Sequence, residues 1–305
     1  MQKIIFAGTT EFGIPTLEKL KNQYELILII TQPDKPAGRK QIVTPPPIKV
    51  WAQKNNIPVD QPEKLSTIAP QLSTLSPDLL LVAAYGQIIS KEILDIPKFG
   101  SINIHGSLLP KYRGASPIQA AILNGDKETG ITLIRMDKEM DHGQIIAKEV
   151  LRLAGNETYL KLYEQLSLMA ADLTIKTLPG WFSGQIKSAE QIHSLATYTK
   201  LLNRDDGKLD WTKSAKEIDQ KIRALNPEPG TWTTLDGKIF KILSAEPVSE
   251  SKIELPGKIY HRNGELAVKC LDGTIMVKQL QPEGKNPMSG TDFLNGLKTA
   301  NKLFI

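Results

Sequence analysis

Ser101-Ile-Asn-Ile-His-Gly-Ser-Leu-Leu-Pro110 reads as a short buried strand, Ser101–His105, ended by a glycine. Ile102 and Ile104 alternate with Asn103 and His105, so the amide and the imidazole share one face, two residues apart. Gly106 then lets the backbone turn away. Runs of the same kind lie on either side. Lys3–Ala7, Glu25–Thr31, Asp78–Ala84 and Gly130–Met136 are short, β-branched or leucine-rich, and bounded by Gly, Pro or Asp, and are predicted to be strands. Helices are predicted between them at Ile14–Asn22, Pro47–Asn55, Ile68–Leu75 and Pro117–Leu123. Such alternation predicts an α/β domain whose mostly parallel sheet is covered on both faces.

A long helix is predicted next, over Thr158–Leu178, with Leu162, Leu166, Met169 and Leu173 forming one apolar stripe. Pro179-Gly180 is expected to stop it. Residues 180–205 show no clear period and read as a connection. Beyond them the pattern changes. A helix over Ser214–Leu225 gives way at Asn226-Pro227 to short strand candidates: Thr231–Thr234, Lys238–Leu243, Lys258–Tyr260, Glu265–Lys269 and Thr274–Gln279. Asp236-Gly237, Asn263-Gly264 and Asp272-Gly273 separate several of them and are hairpin signals. This second part reads as a small antiparallel barrel. The expected division is a catalytic domain over 1–185, a linker over 186–205 and a barrel domain over 206–305.

The chain has 305 residues, 23% of them charged and 40% apolar, which suits two globular domains. Its single cysteine, Cys270, lies in an alternating run and is expected to be a small buried side chain rather than a reactive thiol. So low a cysteine count fits a reducing compartment. The apolar run near the N-terminus is too short for a signal peptide, and no stretch approaches the roughly 18 apolar residues of a membrane span. A cytoplasmic, monomeric protein is expected. The net charge of +5 is spread over both parts. It permits an anionic partner and equally suits a solvated basic surface.

In open parallel sheets ligands bind beyond the carboxyl ends of the strands. After the first strand, Gly8-Thr9-Thr10-Glu11-Phe12-Gly13 lacks both GxGxxG and a phosphate-loop lysine, so nucleotide binding is weakly supported. After the fourth, Asn103 and His105 together suit stabilisation of a developing oxyanion, although a structural histidine would leave the same trace. After the fifth comes Met136-Asp-Lys-Glu-Met-Asp-His-Gly143. Asp141 in that loop has the chemistry to keep His105 charged and oriented. Asp137, Glu139 and Asp141 also suit solvated loop charges. The spacing of Asp137, Asp141 and His142 matches no strong metal-ligand pattern, and no metal is expected.

At these residues the chain resembles the methionyl-tRNA formyltransferase family, over nearly its whole length. Four stretches carry the resemblance: Phe6-Ala-Gly-Thr-Thr-Glu-Phe12, Thr31-Gln-Pro-Asp-Lys-Pro-Ala-Gly-Arg39, His105-Gly-Ser-Leu-Leu-Pro-Lys-Tyr-Arg-Gly114, and Ile222-Arg-Ala-Leu-Asn-Pro-Glu-Pro-Gly-Thr-Trp232. The third is shared by formyltetrahydrofolate-using transferases of this fold. The second and fourth discriminate among them.

The resemblance implies a Rossmann-like catalytic domain followed by an OB-like barrel that binds tRNA. It implies 10-formyltetrahydrofolate as formyl donor and initiator Met-tRNA as acceptor. Asn103, His105 and Asp141 are then the catalytic residues. The loop Gln32–Thr44 is expected at the tRNA acceptor stem, with Lys35, Arg39 and Lys40 as its cations and Arg39 as the key one. Ser107, Leu108, Leu109 and Pro110 are expected near the folate. The loop after the Asp78–Ala84 strand, with Tyr85, Gly86, Gln87 and Ile88, is nominated for the pterin. Glu139 stands where the family usually has glycine. If that glycine serves a positive φ, a side chain there costs about 1 kcal/mol or more. Rival acceptors are a sugar nucleotide and water, and a non-catalytic folate- or tRNA-binding protein is the rival from another class.

Overall fold

The computed structural model describes every residue except 39, 250–253 and 298–301. The chain forms two compact units. The first comprises Met1–Pro117, Glu128–Arg152 and Tyr163–Thr199. The second comprises Ile118–Lys127, Leu153–Leu162 and Lys200–Ile305.

The first unit is built on a seven-stranded sheet. Its strands are β1 (Lys3–Gly8), β2 (Glu25–Ile30), β3 (Val59–Asp60), β4 (Leu79–Ala83), β5 (Ser101–His105), β6 (Glu128–Arg135) and β7 (Ile145–Arg152). They lie in the order β7-β6-β5-β4-β1-β2-β3. β3, β2, β1, β4 and β5 run parallel, and β6 and β7 are antiparallel to their neighbours. The central strands are apolar without a break because both faces are covered: every residue of β4 and five of the six in β1 are buried. The chain crosses from β3 on one side of β1 to β4 on the other. That reversal opens a crevice at the carboxyl ends of β1 and β4, where Thr9 Oγ1 donates to the Tyr85 carbonyl at 2.8 Å.

Three features differ from the sequence expectation. The predicted Gly130–Met136 strand is β6, Glu128–Arg135, and it runs antiparallel. It is followed by β7, which the hydrophobic pattern did not announce. From Ala147 on, the side chains of β7 alternate between partly buried and exposed, and Lys148, Glu149 and Arg152 dilute its apolar signal. The long helix does not stop at Pro179-Gly180 but spans Tyr159–Phe182 with Pro179 inside it. Proline removes one backbone hydrogen bond there. The extra turn is held instead by tertiary contacts: Trp181 Nε1 donates to the Phe99 carbonyl at 3.1 Å, and Phe182 packs on Phe99 and Tyr24 with ring centroids 5.0 and 5.7 Å apart.

The stretch from 186 to 199 has little regular structure but is fixed to this unit. Ala189 and Ile145 exchange backbone hydrogen bonds of 2.8 and 2.7 Å, and Tyr198–Thr199 pairs in parallel with Arg113–Gly114. The chain is thus led past the carboxyl end of β5.

The second unit contains the Ala215–Leu225 helix and an antiparallel sheet. The helix begins with a capping box: Ser214 Oγ accepts from Glu217 N, and the Glu217 carboxylate reaches back to Ser214 N. The strands are Thr231–Leu235, Lys238–Val248, Ile259–Arg262, Glu265–Lys269 and Thr274–Pro282, with Met288–Ser289 added at one side. Asp236-Gly237 and Asn263-Gly264 have positive φ at both positions, as two-residue hairpins of the left-handed kind require. Asp272-Gly273 instead ends a longer loop in which Cys270 N donates to Gly273 O. The last four residues tie the outer strands together. Phe304 N bonds Gly257 O, Ile305 and Thr234 exchange backbone bonds of 2.9 Å, and Phe304 is buried at 1% exposure. This closes the sheet into a barrel around Trp211, Phe240, Val268 and Val277. Cys270 is fully buried there, and burial pushes its thiol up to about 12.

Candidate active site

β5 ends with Asn103 and His105 on one face, next to the β6–β7 connection that carries Asp141. Asn103 Nδ2 donates to Asp141 Oδ1 at 3.1 Å. His105 Nδ1 lies 3.5 Å from the same oxygen, and the two side chains are only 6% and 12% exposed. The other imidazole nitrogen, Nε2, is 2.8 Å from the Tyr112 carbonyl, which can only accept, so Nε2 carries a hydrogen. Both ring nitrogens therefore face oxygen acceptors, and a doubly protonated ring places a donor at each. The Nδ1 contact is longer than a normal hydrogen bond, which leaves that hydrogen free for a third partner.

Asp141 Oδ2 accepts from Gly114 N at 2.7 Å. Gly114 has φ +106, and a Cβ there would fall 2.3 Å from the Thr199 carbonyl, so only glycine brings this amide to the carboxylate. Donors thus surround the Asp141 carboxylate. One amide hydrogen of Asn103 is committed to it and the other is available. Three groups suited to acyl transfer converge here: an amide donor, an imidazole whose Nδ1 is only loosely held by Asp141, and a nearly buried carboxylate. Among the described residues no three His, Cys, Asp or Glu side chains converge as a metal site.

A formyl transferase family model matches residues 2–178, and a formyl transferase C-terminal domain model matches residues 201–298. The methionyl-tRNA formyltransferase of Enterococcus faecalis is 39% identical over 303 residues, covering 97% of this chain and 96% of its own. That of Halalkalibacterium halodurans is 42% identical over 299 residues, covering 96% and 94%. The chain belongs to the methionyl-tRNA formyltransferase family. A solved N-formyltransferase from Helicobacter canadensis, in complex with folinic acid and dTDP-3-aminofucose, is similar with a TM-score of 0.70. It is 22% identical and covers 92% of this chain and 100% of its own, so the likeness is one of fold.

The other expected site residues of this formyltransferase fall in three places. Ser107–Pro110 follows β5 directly. Ser107 is buried and its Oγ donates to the Lys111 carbonyl at 2.5 Å. Thr132 Oγ1 donates to Ser107 O and accepts from Leu109 N, while Lys148 Nζ donates to Leu109 O. Leu109 is fully buried, and Leu108 and Pro110 are half-buried. Burial lowers the Lys148 ammonium below its usual value.

The Tyr85–Ile88 loop follows β4. The Tyr85 ring packs into the core with Ile5, Leu72 and Ile93, and its buried hydroxyl has no hydrogen-bond partner among the described residues. Burial pushes that phenol up to about 12. What Tyr85 presents to its neighbours is its carbonyl, which accepts from Thr9 Oγ1 and Gln32 Nε2. Gln87 accepts from Leu65 N and donates to Pro62 O, while Ile88 is 89% exposed. Gly86, Gln87 and Ile88 line a cleft of about 780 Å³ with Gln32, Lys35 and Leu65. Asn103, His105 and Asp141 do not line it.

The Gln32–Thr44 loop forms a short hairpin of Lys35–Ala37 with Ile42–Thr44. Lys35 and Lys40 are exposed on it, as are Ile42 and Val43. Arg39 lies outside the described residues. At the hairpin's base, the side chains of Lys49 and Gln61 hold the Asp34 carboxyl below the usual carboxylate range.

Glu139 does not take a positive φ. In its loop that conformation belongs to Asp141 itself, at φ +50. The expected strain at 139 is therefore absent, and the departure from glycine leaves the turn intact. Three residues beside this loop, Arg113, Gln191 and His193, were not among the expected site residues. Arg113 is 2% exposed, with its Nη2 at 2.8 Å from both Gln191 Oε1 and His193 Nδ1. His193 stacks on His142 at 4.1 Å, and His142 Nδ1 bonds Asp137 Oδ2 at 2.6 Å. A lone buried-arginine signal does exist within the Lys111-Tyr-Arg-Gly114 run. Its partners lie about 80 residues away.

Proposed function

We propose that this enzyme transfers the formyl group of 10-formyltetrahydrofolate to the α-amino group of methionyl initiator tRNA. The observation that carries the acceptor is 39–42% identity, across nearly the whole of both chains, to methionyl-tRNA formyltransferases. The chemistry is carried by Asn103, His105 and Asp141. The α-amine, ordinarily titrating near pH ~8, attacks the formyl carbon in its neutral form. The carbon–oxygen double bond opens to an oxyanion. The free amide hydrogen of Asn103 and the Nδ1 hydrogen of His105 donate to it. Asp141 takes a proton from the attacking nitrogen, directly or through one water. His105 protonates N10 as the carbon–N10 bond breaks. Asp141 then hands its proton to His105 Nδ1, so the proton lost by the amine replaces the one delivered to tetrahydrofolate and both side chains return to their starting state.

The folate is assigned to the strand ends, between Ser107–Pro110 and Tyr85–Ile88. The backbone of the latter loop, with Gly86, suits hydrogen bonding to a flat pterin better than the buried Tyr85 ring does. Lys35, Arg39 and Lys40 are assigned to phosphates of the tRNA acceptor stem, and the exposure of Lys35 and Lys40 supports this. The catalytic domain is assigned to 1–185, the linker to 186–205 and the tRNA-binding barrel to 206–305. Among the described residues no helix is long and apolar enough to cross a membrane, and we assign the enzyme to the cytoplasm as a monomer. The test is formyl transfer from labelled 10-formyltetrahydrofolate to initiator and elongator Met-tRNA in parallel. Formylation of the initiator alone is expected. Equal formylation of both, or of neither, would refute the assignment of the acceptor.

A further inference from the structure

We infer that Gln191 is the positioning residue for Asp141, itself held in register by the buried Arg113. The inference rests on the catalytic reading of Asp141 given above. Asp141 sits at φ +50, a left-handed conformation that costs a non-glycine residue about 1 kcal/mol or more. A turn of that kind persists when its surroundings over-determine it. Gly114 N and Asn103 hold the Asp141 carboxylate, and one side chain holds its backbone. Gln191 Nε2 donates to two carbonyls at once, Asp141 O at 2.8 Å and Gly143 O at 2.7 Å. Those carbonyls flank His142 and fix the turn on both sides.

Gln191 is 4% exposed and its amide has only one acceptable orientation. Its Oε1 accepts from Arg113 Nη2 at 2.8 Å and Nε at 3.3 Å. A guanidinium can only donate and a carbonyl can only accept, so the nitrogen must face the 141 and 143 carbonyls. The circuit then closes through the chain. Gly114, next to Arg113, donates its N–H to Asp141 Oδ2. Arg113-Gly114 therefore grips Asp141 twice, by its carboxylate directly and by its backbone through Gln191. The paired bonds of Ala189 with Ile145 bring residue 191 to this place. All of these groups lie in the first unit.

A purely structural role and a positioning role separate in Gln191→Glu. The glutamate keeps the side-chain length and gives Arg113 a charged acceptor. It also turns both donors into an acceptor facing two carbonyls. The full chain would be assayed for formyl transfer to initiator Met-tRNA and for thermal melting. A loop displaced by about 1 Å costs on the order of 10²-fold in turnover. The expected result is a variant that still melts cooperatively above the assay temperature, kcat lower by about that factor, and KM for both substrates within about threefold. Gln191→Met, which has neither donors nor charge, should lower kcat in the same direction and decides the matter if the glutamate variant does not fold. Full kcat in the folded variant overturns the inference. Asp141→Asn is measured beside them. If it is fully active, the catalytic reading of Asp141 fails and this inference with it. If it is inactive while the Gln191 variants are fully active, only the positioning role fails.

Discussion

Replacing Asp141 by asparagine changes one atom and should cost about as much as removing the side chain's function altogether. Three donors face the carboxylate: Gly114 N at 2.7 Å, Asn103 Nδ2 at 3.1 Å and His105 Nδ1 at 3.5 Å. An asparagine offers one acceptor and one NH₂. If its oxygen stays on Gly114 N, its amide hydrogens point at the Asn103 amide and the imidazole. If it flips, they point at Gly114 N. Either way a bond to a charged acceptor is lost and a donor meets a donor. Hydrogen bonds to charged groups contribute about 1.5–3 kcal/mol each. Losing one or two of them in the transition state, at about 1.4 kcal/mol per tenfold, amounts to roughly 10–10⁴-fold in rate. Single-turnover formylation with both substrates saturating reads this directly, and melting shows that the variant is folded. A folded Asp141→Asn enzyme within about fivefold of the parent rate would refute the reasoning, because a transition-state donor or base is worth more than that.

Asn103→Ala removes one proposed oxyanion donor and should lower kcat by about 10²–10³-fold with little change in KM, measured by steady-state formylation. Phe304→Ala removes a fully buried ring from the residues that close the barrel, and should destabilise the second unit by about 3–5 kcal/mol in denaturant melts. At high pH, the Cys270 thiol and the Tyr85 phenol, both pushed up to about 12 by burial, stay protonated in the folded chain while the unfolded chain releases its protons earlier. The unfolded state then binds fewer protons, so stability is full below about pH 8.5 and falls as pH rises toward 12. Cys270→Ala should make that decline shallower, and a thiol reagent at pH 8 should label Cys270 only after unfolding.

How far the residues foretold this site depends on the range of the interaction. Asn103 and His105 share a strand face because side chains alternate with a period of two, and that period is local. Asp141 could be nominated because its loop follows a strand in a sheet whose ligand side is known. Gln191 and Arg113 could not. Their pairing joins residues 78 positions apart, through a stretch with no periodicity of its own. Tyr85 shows the converse failure. Its loop was nominated for the pterin by its position beyond a strand, yet the Tyr85 ring turns into the core and its carbonyl meets Thr9 and Gln32. Local pattern sets where the backbone goes but not which way a loop side chain points.

The same limit explains the fold. Buried strands such as Leu79–Ala83 are continuous apolar runs and were legible. The Ile145–Arg152 strand, half exposed and rich in charge, was not. Pro179 should have ended the long helix on local grounds, and only distant Phe99 and Tyr24 carry it one turn further.

A competition between acceptors shows which amine receives the formyl group. The purified chain would be given labelled 10-formyltetrahydrofolate with initiator Met-tRNA and a dTDP-amino sugar at equal concentration, in water. The products would be separated and the label counted on methionine, on the sugar and as free formate. The account predicts nearly all of the label on the methionine nitrogen, and its loss in Asp141→Asn. Label chiefly on the sugar or in formate would contradict it.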